Sequence, residues 1–286
     1  MRVLVTGSHG FFGSAFIAFL EKKQVSSLAY DRTGPLPSLD FDSVVHFAGC
    51  TPYSRVTGGV VSAEDYYAAN VESTARLLGL LRLHKNVKTL VTVGSAAEYG
   101  FADHPLVEGD KENPASDYGK SKCAQTALIK KFAEDSGIRT FNMRVFNIVG
   151  VPPAARLAEQ RKNSSFVEQL VRQFCTPSVA KAHITIDNEH NVRDYIDKDD
   201  LFEALFAALC CENTDGYELI NVSSGAGTTL GELTALFSAC SNKAYMIENT
   251  RPDVTNSSVG SNSKAKQMLG WKPRISLEQS VRALCI

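Results

Sequence analysis

The chain has 286 residues, 44% of them hydrophobic and 21% charged, with 30 basic against 31 acidic side chains and a formal charge of −1. That length admits one large α/β domain or a domain plus a smaller lobe. The near-zero charge supplies no overall field to recruit nucleic acid or an anionic membrane, so neither is expected as a partner. After Met1-Arg2 the apolar run stops at Thr6, too early for a signal-peptide core, and no segment approaches the roughly 18 apolar residues that span a bilayer. A cytoplasmic protein is the expectation. Seven cysteines without Cys-x-x-Cys spacing argue against both a disulfide framework and a structural metal site.

The first 31 residues organise the rest. Met-Arg-Val-Leu-Val-Thr reads as a buried strand and runs into Gly7-Ser8-His9-Gly10-Phe11-Phe12-Gly13. Helical spacing of apolar residues follows from Ser14 to Lys23, and a second short strand ends on Asp31. Strand, glycine loop, helix, strand and acid is the order of a dinucleotide-binding βαβ unit. Gly7 permits the tight turn, Gly10 lets backbone approach a pyrophosphate, and Gly13 lets the helix pack closely, while the helix N-terminus faces the phosphates. Asp31 is placed to accept hydrogen bonds from an adenosine ribose, which favours NAD; Arg32 beside it could instead accept the extra phosphate of NADP.

Only ten residues separate Asp31 from the next strand, 42–48, so this crossover is expected to be an abbreviated loop. Phe47, Ala48 and Gly49 then lie at the carboxyl edge, where ligands of open α/β sheets bind. His46, inside an apolar run, reads as a core histidine. Residues 63–84 have helical character, with Tyr67, Val71, Ala75, Leu78 and Leu81 as the expected apolar stripe. Asn70, on or near that face, serves either helix packing or a hydrogen bond beside the cofactor.

Residues 87–93 form another strand, and Ser95 is expected just past its end. From Asp117 a helix to Glu134 begins Asp-Tyr118-Gly-Lys-Ser-Lys122. Tyr118 and Lys122 are four apart and share a helix face. A phenol near pKa 10 is a poor base at neutral pH, but an ammonium beside it favours the phenolate. A serine hydroxyl nearby can hydrogen-bond a substrate oxygen as the proton moves. These three residues are the expected catalytic group.

The order Gly7-x-x-Gly10-x-x-Gly13, Asp31, His46-Phe-Ala-Gly49, Asn70, Ser95-Ala-Ala-Glu-Tyr-Gly100 and Tyr118-Gly-Lys-Ser-Lys122 resembles the extended short-chain dehydrogenase/reductases, specifically the NAD-dependent epimerase/dehydratase family that acts on nucleotide sugars. The match continues through Met143-Arg-Val-Phe-Asn147-Ile-Val-Gly150, Val192-Arg-Asp-Tyr-Ile196, Asn221-Val-Ser-Ser-Gly225, Arg251-Pro-Asp253 and the segment from Ser263 to Pro273, so it covers essentially the whole chain. The fold implied is a doubly wound parallel Rossmann sheet (1–150 and 183–225) with a smaller, discontinuous substrate lobe (151–182 and 226–286). In that family the residues matching Ser95, Tyr118 and Lys122 carry the chemistry at C4 of the hexose, and the lysine also binds the nicotinamide ribose. Asn147 matches a substrate-contacting asparagine, Arg193 and Arg251 match arginines on the nucleotide diphosphate, and Ser165-Phe166 lie in a segment along the nucleotide. A homodimer through the helices 63–84 and 124–133 is implied as well.

Departures from the family pattern narrow the reaction. Dehydratases place an acid directly after the catalytic hydroxyl, where this chain has Ala96 and Ala97, so dehydration is disfavoured. Glu98 is one place further on and is read as structural. The expectation is a nucleotide-sugar 4-epimerase using NAD, with NADP also possible. The alternatives are a nucleotide-linked 4-keto-6-deoxyhexose reductase and, in another class, a non-catalytic dinucleotide sensor or scaffold.

Overall fold

The computed structural model describes residues 1–30, 35–36, 40–54, 60–150 and 164–285. Asp31, Arg32 and residues 151–163 of the expected lobe segment 151–182 fall outside the described residues. The chain opens with β1 (Arg2–Thr6), α1 (Phe11–Lys22) and β2 (Ser26–Tyr30), then β3 (Ser43–His46). A helical segment follows as α2 (Ala63–Tyr66), a π-turn (Tyr67–Glu72) and α3 (Ser73–Leu81), then β4 (Thr89–Ser95), a 3₁₀ turn (Ala96–Glu98), α4 (Asp117–Ser136) and β5 (Arg139–Val145). Beyond these come β6 (Asn147–Val149), α5 (Phe166–Cys175), β7 (Ala182–Ile186), β8 (Val192–Asp197), α6 (Lys198–Cys210) and β9 (Tyr217–Val222). The C-terminal part holds β10 (Gly227–Thr229), α7 (Leu230–Ser241), β11 (Tyr245–Asn249), β12 (Ser257–Ser258), α8 (Ser263–Leu269) and α9 (Leu277–Leu284).

Among the described residues the main sheet has the order β2-β1-β3-β4-β5-β9, with every pair parallel. Alternation along the strands sends residues to opposite faces. In β1, Val3 and Val5 join the cluster of Phe16, Leu20, Phe202 and Leu205 from α1 and α6, whereas Leu4 joins Leu77, Leu81, Ile129 and Phe132 from α3 and α4. Helices therefore cover both faces, and the strands read as near-continuous apolar runs because neither face meets water. The chain is an α/β protein of Rossmann type. β2 is an edge strand among the described residues, in keeping with the short crossover after Asp31.

The second layer of structure is built on α5, α7 and α9. Val167, Leu170 and Phe174 of α5 pack with Leu233 and Phe237 of α7, Val281 and Leu284 of α9, and Ala182, Ile184 and Ile186 of β7. β7 pairs with β11, so its residues 183–186 share this core and not that of the main sheet. Each of α5, α7 and α9 starts with a capping box, Ser165/Glu168, Thr229/Glu232 and Ser276/Gln279, which satisfies two otherwise orphaned amides at each N-terminus. Trp271 ties the C-terminal segment to α6: its indole Nε1 donates to the Asp200 carbonyl (3.0 Å), and the Asp200 carboxylate accepts from Arg274 N and Ile275 N at 2.9 and 2.8 Å.

Two local expectations change. The strand expected at 87–93 runs two residues further, because Ser95 still pairs with Val145 in the ladder. The stripe expected on 63–84 is broken: Tyr67 and Ala75 are exposed, and the buried positions are Tyr66, Ala69, Asn70, Val71, Thr74, Leu77, Leu78 and Leu81. The π-turn inserts one extra residue per turn and rotates everything after it, which a strict 3.6-residue period does not anticipate. No helix among the described residues is long and apolar enough to cross a membrane.

Candidate active site

The glycine loop is shaped by contacts that a Cβ would destroy. Gly7 has φ +66°, and a Cβ there would lie 2.7 Å from Ala48 N; a Cβ on Gly13 would lie 2.2 Å from the Gly7 carbonyl oxygen. Gly10 N donates to that same carbonyl at 2.9 Å, closing the turn, and Gly10 as N-cap contributes no side-chain cap to α1. Ser8 is buried, yet its hydroxyl has no hydrogen-bond partner within the described residues. A glycine cradle at a helix N-terminus and an orphaned buried hydroxyl fit the pyrophosphate of a dinucleotide. Beside the loop, Thr6, Tyr30, His46, Ala48, Arg76, Leu77 and Leu80 line a cavity at the carboxyl end of β1–β3. Gly13→Ala is accordingly expected to destabilise the fold by about 1–3 kcal/mol through overpacking and to weaken dinucleotide binding, read by thermal melting and by titration with NAD.

Asn70 sits in the π-turn and is 1% exposed. Its Oδ1 accepts from Cys50 N at 2.7 Å, and its Nδ2 donates to Cys50 O at 3.0 Å and to Ser121 Oγ at 2.9 Å. The amide thus clasps the loop after β3 to the helix carrying Tyr118 and Lys122. Gly49 is required there, since a Cβ would come 2.7 Å from Asn70 Oδ1. Of the two roles open for Asn70, packing and bridging is what its described contacts show.

Helix α4 brings the chemistry to the end of β4. Its N-cap Ser116 accepts from Gly119 N at 3.1 Å, and Gly119 lets the first turn approach the Ala97 carbonyl, which a Cβ would meet at 2.5 Å. The Ser95 hydroxyl faces the Tyr118 phenol closely enough to lower its pKa, and the Tyr118 ring leans on Tyr66 with centroids 5.6 Å apart. Ser95 also accepts from Ala97 N at 3.2 Å, which orients its oxygen. One turn on, Lys122 is buried, and its Nζ donates to the Val93 carbonyl at 2.7 Å and to Gln125 Oε1. The three expected catalytic residues therefore converge at the last residues of β4.

Burial sets the charges. It pushes the Tyr118 phenol up to about 12, although the Ser95 hydrogen bond pulls the other way. It pulls the Lys122 ammonium down to about 8, opposed by the charge of Glu98. A lysine that loses its proton near 8 when folded and near 10.5 when unfolded penalises the folded chain fully below pH 8, and the penalty disappears as pH rises from 8 to 10.5. Buried thiols such as Cys123 and Cys285, raised from 9.0 to about 12, act with the opposite sign between those values and so overlap the upper part of this range. The expected result is therefore a difference: stability relative to Lys122→Met rises between pH 8 and 10.5 with a slope approaching about 1.4 kcal/mol per unit, measured by urea unfolding of both proteins.

Beneath Ser95 lies an ion pair. Glu98 and Arg144 are 0% and 1% exposed, and Arg144 Nε and Nη2 reach Glu98 Oε2 at 3.0 and 2.5 Å. Glu98 Oε1 accepts from Ser95 N at 2.8 Å, and Oε2 also accepts from Thr126 Oγ1 at 2.8 Å. The guanidinium continues to Glu112 at 2.5 Å and stacks over Tyr99 at 4.1 Å. Glu98, Glu112 and Cys123 are close enough to suggest a metal site, but a cation already joins the two carboxylates.

The expected substrate residues lie on the far side. Arg193 stands over the Phe101 ring at 5.0 Å and donates to the Val192 and Asn256 carbonyls at 2.7 and 3.3 Å. Tyr53, which the sequence reading did not single out, has its phenol pushed up by burial, with the Glu168 charge raising it further and Arg193 opposing. Only its position after the strand-end Gly49 could have marked it. Asn147 donates to the Asp194 carbonyl at 3.0 Å. Ser165 caps α5, accepting from Glu168 N at 3.2 Å, with Phe166 as the first helical residue. Arg251 is exposed in the turn after β11, its backbone N–H donating to Asp187 O at 2.7 Å.

The family model for GDP-mannose 4,6 dehydratase matches residues 33–284. A UDP-glucose 4-epimerase of Halalkalibacterium halodurans is 28% identical, with 98% of this chain and 93% of that protein covered. Among solved structures, UDP-glucose 4-epimerase from Bifidobacterium longum in complex with NAD+ and UDP is similar with a TM-score of 0.79 and 23% identity, covering 100% of this chain and 97% of the other. The structure of RMD from Pseudomonas aeruginosa complexed with NADPH gives a TM-score of 0.82 at 24% identity, covering 99% and 97%. With the glycine cradle and the Ser95, Tyr118 and Lys122 cluster in the positions the motifs require, the chain belongs to the NAD-dependent epimerase/dehydratase family of extended short-chain dehydrogenase/reductases.

Proposed function

We propose that this enzyme is a nucleotide-sugar 4-epimerase acting on UDP-hexoses with NAD. The observation that carries the reading is that Ser95 at the end of β4 faces the Tyr118 phenol, with Lys122 one helical turn on and its ammonium held at the Val93 carbonyl of the same strand end. When bound, NAD would supply the hydride acceptor and donor for C4 of the sugar. Tyr118 takes the proton of the C4 hydroxyl and gives it back, Ser95 hydrogen-bonds the same oxygen, and the charge of Lys122 eases loss of the phenolic proton. Ala96 and Ala97 offer no acid for dehydration. Curated relatives named UDP-glucose 4-epimerase support the choice of reaction and nucleotide.

In this reading Gly7, Ser8, Gly10, Phe11, Phe12 and Gly13 hold the pyrophosphate, Phe47, Ala48 and Gly49 line the cofactor, and Asp31 favours NAD over NADP. Arg193 and Arg251 hold the diphosphate of the sugar nucleotide, with guanidinium forks suited to it. Asn147, Ser165 and Phe166 complete the substrate side. Residues 151–182 and 226–286 form the substrate lobe, and the protein works as a cytoplasmic homodimer.

The test is incubation with UDP-, GDP- and dTDP-sugars, with NAD and NADP in parallel, followed by mass spectrometry and NMR of the product. Unchanged mass with inverted C4 is the expected result. A gain of two hydrogens from a 4-keto sugar would establish a reductase instead, and turnover of no sugar with cofactor still bound would leave the sensor reading.

A further inference from the structure

A continuous chain of buried hydrogen bonds runs from the catalytic lysine to the glycine loop. Lys122 Nζ donates to Gln125 Oε1. Gln125 Nε2 donates to Thr74 Oγ1 at 2.8 Å, and Thr74 Oγ1 donates to the Asn70 carbonyl at 2.7 Å. His46 Nε2 lies 2.9 Å from Thr74 Oγ1, and His46 Nδ1 lies 2.7 Å from Thr6 Oγ1, which accepts from Ala48 N at 3.2 Å. Gln125, Thr74, His46 and Thr6 are all buried.

Counting protons fixes the direction of every bond. The Asn70 carbonyl only accepts, so the single Thr74 proton is committed to it. Thr74 must then receive N–H groups from both other neighbours, so Gln125 presents its NH₂ to Thr74 and His46 carries its proton on Nε2. His46 Nδ1 is left to accept the Thr6 hydroxyl proton, while the lone pairs of Thr6 take the Ala48 amide. At the other end an ammonium needs an acceptor, so Lys122 independently demands the Gln125 oxygen. Both ends of the amide specify the same orientation, and a flipped Gln125 would oppose donor to donor at Lys122 and leave Thr74 one proton short.

We infer that Gln125 is a positioning residue for Lys122, aimed by Thr74, which holds the ammonium against the Val93 carbonyl at the end of β4. Two of the three ammonium protons are thereby assigned to fixed acceptors, leaving the third for the Tyr118 face of α4 and whatever binds there. The inference rests on the function proposed above for its kinetic consequence, but the contact itself is independent of substrate. Among the described residues, Glu98 in the turn after β4 is the charge that bears on Lys122; Tyr118 shares α4 with it and is itself flanked by Glu98, Tyr53 and Tyr66, and His46 of β3 bonds Thr74.

Two pairs of variants test it. Gln125→Glu keeps an acceptor for Lys122 and adds a charge, so the Lys122 side-chain titration, followed by NMR of [13Cε]-lysine and assigned with Lys122→Arg, is expected to move up by about one pH unit or more. Gln125→Leu is expected to lower kcat by about tenfold or more with KM for the sugar nucleotide little changed. Thr74→Val preserves shape and loses the hydroxyl, whereas Thr74→Ser does the reverse; Thr74→Ser is expected to retain more of kcat than Thr74→Val. An unmoved Lys122 titration in Gln125→Glu, or Thr74→Val retaining more activity than Thr74→Ser, would overturn the inference. Absence of any sugar turnover in the unmodified enzyme would defeat the proposed function alone, since the NMR titration still decides the contact.

Discussion

Tyr118→Phe is expected to lower kcat on an accepted sugar nucleotide by about 10²–10⁴-fold, the range for loss of a positioned general acid or base, while dinucleotide binding survives. The ring keeps its place in the substituted protein. It packs against the cluster of Cys50, Val61, Tyr66 and Ala69, and the ring contact with Tyr66 does not require the hydroxyl. What disappears is the hydrogen bond to Ser95 and the transferable proton, so stability is expected to change by no more than about 1 kcal/mol. Burial pushes the phenol up to about 12, so in the mechanism proposed above its proton loss at neutral pH depends on the charge of Lys122, which, falling to about 8, is still mostly protonated there. Steady-state kinetics with parallel calorimetric titration of NAD separates the two quantities. A phenylalanine enzyme within tenfold of the parent would show that another group moves the proton.

The parts of this molecule governed by local rules were legible in the sequence. The βαβ unit declares itself because Gly7 and Gly13 have no room for a Cβ, and Tyr118 and Lys122 share a face because a helix repeats every 3.6 residues. The same rules concealed the π-turn, because its extra residue depends on where Asn70 must point to clasp Cys50 and Ser121. His46 reads as core from its apolar neighbours, but its partners Thr6 and Thr74 are 40 and 28 positions away. Gln125 carries no motif of its own. Its significance appears only when α4, α3 and β3 are packed and their donors are counted. Arg144 likewise sits between the apolar Met143 and Val145 of β5, and its partner Glu98 is 46 positions away.

Arg144→Met is expected to destabilise the fold by about 3–5 kcal/mol, the range for breaking one side of a buried ion pair. Methionine restores much of the volume but none of the five donors. Glu98, with no exposed surface, would keep only Ser95 N and Thr126 Oγ1 as partners, and Glu112 would lose its bond to Nη2. Burial alone opposes the guanidinium charge, yet Glu98 beside it holds Arg144 above its ordinary value, so the pair answers for its own desolvation. Glu98→Gln strands the arginine instead and leaves an amide oxygen for Ser95 N, so it too is destabilising, and the two changes together are expected to cost less than their sum. A urea-unfolding double-mutant cycle measures that coupling. Because Glu98 Oε1 holds the backbone of Ser95, kcat is expected to fall in the same variants under conditions where they remain folded. Additive changes of under about 1 kcal/mol each would place the pair among ordinary surface contacts and would require another account of how the Ser95 hydroxyl is held.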